Sequence, residues 1–161
     1  MMGRGKTYFI STYGCQANER DSETLAGILD ELGFTPNETA EGSDVIIINT
    51  CAIRQNAEEK VLGEIGNFKR LYRENKDLII GVCGCMAQEE GLVETLLTKY
   101  PQVRLLFGTH NIQELPSMLY SCMFEGKKGR KNLFERRRSL RKSTSTSFWN
   151  IQGLGQYYVW L

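Results

Sequence analysis

With 161 residues, 41% of them hydrophobic, and a net charge of +1, the chain can hold one domain with a real core and some extra length. No run approaches the ~18 apolar residues of a membrane span, and the opening Met-Met-Gly-Arg-Gly-Lys lacks an apolar signal region, so neither a membrane partner nor secretion is expected. Five cysteines, an odd number at low density, exclude a disulfide scaffold and fit a reducing, cytoplasmic compartment where thiols serve metals or chemistry.

Strand and helix signals alternate over the first 120 residues. Tyr8 to Gly14 reads as a first strand. Leu25, Ile28, Leu29 and Leu32 then recur at helical spacing, with Asp21 or Ser22 as N-cap and Gly33 as the stop. Phe34 to Thr39 reads as a short strand, and Pro36 within it demands a sheet edge. The continuous apolar run Val45–Asn49 predicts a strand buried on both faces. Ala57, Val61, Ile65, Phe68 and Tyr72 give a long amphipathic helix, and Leu78–Val82 a second buried strand. Leu92, Leu96 and Leu97 predict a helix ending near Tyr100-Pro101. Val103–Phe107 reads as a fifth strand, and Ile112, Leu115 and Leu119 as a last helix. This alternation predicts an α/β fold: a doubly wound parallel sheet of about five strands, flavodoxin-like, in the order 2-1-3-4-5.

The charge is unevenly spread. Residues 1–125 carry 11 Lys/Arg against 18 Asp/Glu, net −7, whereas residues 126–142 carry 9 against one, net +8. Residues 143–161 have no charged side chain and end in Tyr157-Tyr158-Val159-Trp160-Leu161. The shift divides the chain into an α/β domain, 1–122, and a basic then aromatic tail, 123–161. Lys127 to Lys142 offers a weak contact for RNA phosphates, set against the blander reading of a solvated segment.

Three cysteines carry the chemistry. Cys15, Cys51 and Cys85 each close an apolar strand-like run, 36 and 34 residues apart, about one strand–helix–strand unit. All strands of a parallel sheet emerge on one edge, where open α/β folds bind ligands, so the topology brings three distant thiols to one crevice. Gly14 and Gly84 precede two of them and permit tight turns. Three thiolates suit a cubane iron–sulfur cluster with one iron left open. A structural zinc would need a fourth ligand, and no C-x-x-C pair exists. Cys83 and His110 are the candidates for an additional ligand; for Cys83, as for Cys122, burial as a small hydrophobe competes, and for His110, loop packing. No Walker sequence, G-x-G-x-x-G or G-x-S-x-G is present.

Tyr13-Gly14-Cys15-Gln16-Ala17-Asn18-Glu19-Arg20, Asn49-Thr50-Cys51-Ala52-Ile53-Arg54 and Gly84-Cys85-Met86-Ala87-Gln88 occur in that order. They resemble the N-terminal domain of the radical-SAM methylthiotransferases over roughly residues 6–120. The resemblance implies a flavodoxin-like domain whose Cys15, Cys51 and Cys85 hold an auxiliary 4Fe–4S cluster. Cys83 and Cys122 match no ligand position. The wording around the first two cysteines is most similar to the branch that adds a methylthio group to isopentenyladenosine next to the anticodon of tRNA. In that family a second 4Fe–4S cluster cleaves S-adenosylmethionine from a following domain opened by C-x-x-x-C-x-x-C. That triplet is absent from these 161 residues, and the tail stands where the domain is expected. The expectation is therefore a fragment, truncated isoform or frame-altered product that is catalytically incomplete alone. A non-catalytic module or competitor binding RNA or protein, and a structural zinc protein, are the alternatives.

Overall fold

The computed structural model describes residues 2–51, 55–88 and 90–125. The basic segment 127–142, and nearly all of the tail 123–161 with it, lie outside the described residues.

The core is a five-stranded sheet of β1 (Thr7–Tyr13), β2 (Thr35–Pro36), β3 (Val45–Thr50), β4 (Ile79–Gly84) and β5 (Val103–Phe107), in the order β2-β1-β3-β4-β5. Every pairing is parallel. This is the doubly wound, flavodoxin-like α/β architecture that the alternation predicts. Helices α1 (Gln16–Glu31), α2 (Gln55–Glu74), α3 (Glu90–Lys99) and α4 (Leu115–Tyr120) accompany the strands.

All six residues of β3 and of β4 are buried, which is why they read as unbroken apolar runs. Their alternation divides the core into two layers. Val45, Ile47, Ile79 and Cys83 pack with Leu25 and Leu29 of α1 and Leu115, Met118 and Leu119 of α4. Ile46, Ile48, Ile80 and Val82 pack with Val61, Ile65 and Phe68 of α2 and with Val93 and Leu96 of α3. Truncating any one of these large side chains to Ala is worth about 2–5 kcal/mol. Pro36 sits in the two-residue edge strand, where its missing N–H costs no ladder bond.

Three elements differ from the sequence expectation, the first being the strand read over Phe34 to Thr39, which pairs with β1 only at Thr35–Pro36. Helix α1 begins at Gln16, five or six residues before Asp21 and Ser22, because Cys15 is its N-cap and Asn18 closes a capping box. Its first turns are polar, so apolar spacing is blind to them. The last helix is divided into a 3₁₀ segment, Thr109–Glu114, then α4, then a π-turn, Ser121–Glu125. Pro116 falls in the first turn of α4, where a missing N–H is tolerated.

Candidate metal centre

β1, β3 and β4 are adjacent in the sheet, and Tyr13, Thr50 and Gly84 stand in one row at its C-terminal edge. Cys51 and Cys85 directly follow that row, and Cys15 comes two residues after it. Three parallel strands span two interstrand spacings, about 10 Å. The Cys51 N–H donates to the Tyr13 carbonyl at 3.0 Å, extending the β1–β3 ladder by one bond. Cys85 leaves the sheet sharply, since Gly84 has φ 103°. A Cβ at Gly84 would run into the Thr50 carbonyl, and one at Gly14 into the Asn18 side chain. Both glycines are thus needed for close approach beside a cysteine.

The thiols sense one another. N–H groups of Ala17 and Asn18, at the start of α1, lower the Cys15 pKa, and a hydrogen bond with the Cys51 side chain adds to that. Partial burial raises the Cys85 pKa, with the charges of Cys51, Asp21 and Cys15 contributing. Cys15 and Cys85 are exposed and Cys51 is half-buried. The edge is therefore open, and its three sulfurs belong to one electrostatic neighbourhood.

Cys83 is elsewhere. It is 1% exposed in the layer under α1 and α4, and burial drives its pKa far up, keeping it a neutral thiol. Cys122 is buried in the π-turn, where its Sγ lies 3.8 Å from the Arg104 carbonyl. His110 is exposed on the 3₁₀ segment after β5. Among the described residues no group of three or more His, Cys, Asp or Glu side chains is drawn together closely enough to hold a metal ion, and this applies to Cys15, Cys51 and Cys85 as well. Neither Cys83 nor His110 is drawn into such a group, so the four-ligand zinc arrangement gains no support from the geometry. Three thiols at the C-terminal edge of adjacent strands are the kind of donor set that an iron–sulfur cluster takes.

Two residues invisible as site residues in the sequence lie beneath the thiols. Asn18 and Asn49 are 3% and 0% exposed. The Asn18 Nδ2 donates to Asn49 Oδ1 at 3.1 Å, and Asn49 Nδ2 donates to the Asn18 carbonyl at 2.7 Å and to Ser22 Oγ at 2.9 Å. Asn18 Oδ1 accepts from the Cys15 N–H at 3.3 Å. The available signal was an Asn inside an otherwise apolar buried strand, since a buried amide requires partners. A groove away from the cysteines, between residues 38–41 and α2, is lined by Phe9, Glu41, Glu64, Phe68 and Arg70.

Residues 7–108, which include Cys15, Cys51 and Cys85, match the family described as "Uncharacterized protein family UPF0004". The chain belongs to this family. As a UPF0004 chain it is 55% identical, over 121 residues, to the tRNA-2-methylthio-N(6)-dimethylallyladenosine synthase of Bacillus pumilus, covering 75% of this chain and 24% of that protein. It is 58% identical over 118 residues to the synthase of the same name from Staphylococcus saprophyticus, covering 73% and 23%. The chain therefore spans about a quarter of the length of these relatives. The kinship with tRNA methylthiotransferases that the three cysteine motifs imply is borne out by them.

Proposed function

We propose that residues 1–122 form the auxiliary-cluster domain of a tRNA methylthiotransferase acting on isopentenyladenosine next to the anticodon, with Cys15, Cys51 and Cys85 holding a 4Fe–4S cluster. The observation that carries this reading is the convergence of the three thiols on one sheet edge from three adjacent strands. The names of the relatives supply the substrate, tRNA, and the methylthio product. When bound, the cluster supplies an open iron as the site of sulfur delivery. The chain's own contribution is binding and orientation. The N–H groups at the start of α1 favour the Cys15 thiolate required of a ligand. Gly14 and Gly84 allow close backbone approach beside Cys15 and Cys85, where a Cβ would meet the Asn18 side chain and the Thr50 carbonyl, and Cys15 and Cys85 are exposed to a partner from outside.

In this reading, radical generation from S-adenosylmethionine at a second 4Fe–4S cluster falls to a C-x-x-x-C-x-x-C motif, which does not occur within residues 1–161, and the α/β domain contributes the auxiliary cluster. Unpaired thiols on an open edge suit a reducing, cytoplasmic setting. Anaerobic reconstitution with iron and sulfide tests the reading. The wild-type chain is expected to take up iron and sulfide at 4Fe–4S stoichiometry with visible absorbance. Cys15→Ala, Cys51→Ala and Cys85→Ala should each abolish it, and Cys83→Ala and His110→Ala should keep most of it. Loss of iron in Cys83→Ala would overturn the three-ligand assignment, and zinc uptake in place of iron would overturn the cluster.

A further inference from the structure

The Asn18–Asn49 pair joins two elements that each deliver one of the three thiols. Asn49 is the penultimate residue of β3, two residues before Cys51. Asn18 is in the first turn of α1, three residues after Cys15. Both Asn49 Nδ2 protons are used, on the Asn18 carbonyl and Ser22 Oγ, and its Oδ1 accepts from Asn18. Ser22 Oγ in turn lies 2.7 Å from Thr12 Oγ1 on β1. One continuous set of hydrogen bonds thus runs from β1 through α1 to β3 and up to the Cys15 backbone N–H through Asn18 Oδ1. The same Oδ1 lies 3.6 Å from Cys15 Sγ. An apolar side chain at the Asn49 position would fill the layer as well, and Ile47 and Val45 do so one and two pleats below. What an amide pair adds is direction, because it fixes one helix turn against one strand end in a single register.

We propose that Asn18 and Asn49 are positioning residues that hold Cys15 beside Cys51 before any metal arrives, so that the ligand set is preorganised. They act through the Cys15 backbone N–H and through the end of β3 that leads into Cys51, and need not touch the cluster. The idea rests on the cluster reading for its biological purpose, but its first readout is independent of iron. In the metal-free chain, dibromobimane bridges neighbouring thiols and becomes fluorescent, and the Cys15–Cys51 bridge can be assigned by peptide mapping. The variants are Asn18→Ala, Asn49→Ala and the milder Ser22→Ala, which keeps the pair and removes the two outer bonds, to Asn49 and to Thr12. Ile65→Val, in the opposite layer, serves as the control for general destabilisation. Bridging is expected to slow about tenfold in the two Asn variants, the scale set by leaving a buried amide unpaired, and little in the control at matched fraction folded. Reconstituted Asn variants should then take up cluster more slowly and with an altered EPR signal of the reduced form.

The two failures are distinguishable. A wild-type chain that bridges Cys15 to Cys51 but takes up no iron would sink the cluster reading and leave the clasp standing. Asn variants that bridge as fast as wild type would sink the clasp, as would a loss matched by Ile65→Val. Should either Ala variant fail to fold, Ser22→Ala decides: bridging slower than in the control at matched fraction folded supports the proposal, and bridging equal to the control overturns it.

Discussion

Gly84 ends β4 with φ 103°, a region that side chains avoid, and its missing Cβ makes room for the Thr50 carbonyl of the neighbouring strand. Gly63, in the middle of α2, faces open space. The same substitution should therefore have opposite signs at the two positions. Gly84→Ala should cost at least about 2 kcal/mol, since backbone strain and a collision with a backbone atom add. Gly63→Ala should gain about 0.5–1 kcal/mol from helix propensity and reduced unfolded-state entropy. Urea midpoints of the two variants check this, and a neutral Gly84→Ala would mean that the turn before Cys85 has another way out. At this scale the sequence is informative about the thiols and their glycines, because a cysteine after a glycine at a strand end is a local pattern. Asn18 and Asn49 are not legible in that way. Their partners are 31 residues apart, and only the fold brings them together.

At the scale of elements, the strands are the readable part. Val45–Thr50 and Ile79–Gly84 are buried on both faces, and continuous hydrophobicity reports that directly. The start of α1 is not readable from periodicity, because its first turn is set by a Cys–Asn cap whose donors are backbone groups. Helix α1 is tied to β1 further along by Tyr8, whose hydroxyl donates to Asp30 at 3.0 Å. Burial, and then the Asp30 contact, push the Tyr8 pKa up from 10.0 to about 12. Below pH 10 both folded and unfolded chains hold this proton, and its full contribution to stability is present. Between pH 10 and 12 the unfolded chain releases a proton that the fold retains, so stability falls by about 2–3 kcal/mol from this group. Tyr8→Phe should be about 1 kcal/mol less stable than wild type at pH 8, for the lost hydrogen bond. Its disadvantage should shrink and then reverse as pH rises towards 12. Denaturant midpoints of both proteins across that range check the sign, and a constant difference would show that Tyr8 ionises as freely in the fold as out of it.

For the whole molecule, charge is the property the fold does not explain. Residues 1–125 carry net −7 and residues 126–142 net +8, so contact of the basic segment with the α/β domain and contact with RNA phosphates compete for the same cations. Exposed ion pairs contribute about 0–1 kcal/mol each and are screened within about 10 Å at 0.1 M salt, which leaves the basic segment available to a polyanion. Phosphate contacts confer an affinity that is indifferent to base sequence and falls steeply with salt. The thiol edge, by contrast, draws its three thiols and its supporting amides from residues 12–85. Deleting residues 126–161 should therefore leave the iron content after reconstitution unchanged while removing most of the tRNA binding measured at low salt. In the full chain that binding should fall by more than about tenfold between 50 and 200 mM salt. Retention of tRNA affinity in the shortened chain, above all with discrimination for isopentenyladenosine, would move recognition onto the α/β domain. The exposed rim around Cys15 and Cys85 would then be the first surface to map by substitution.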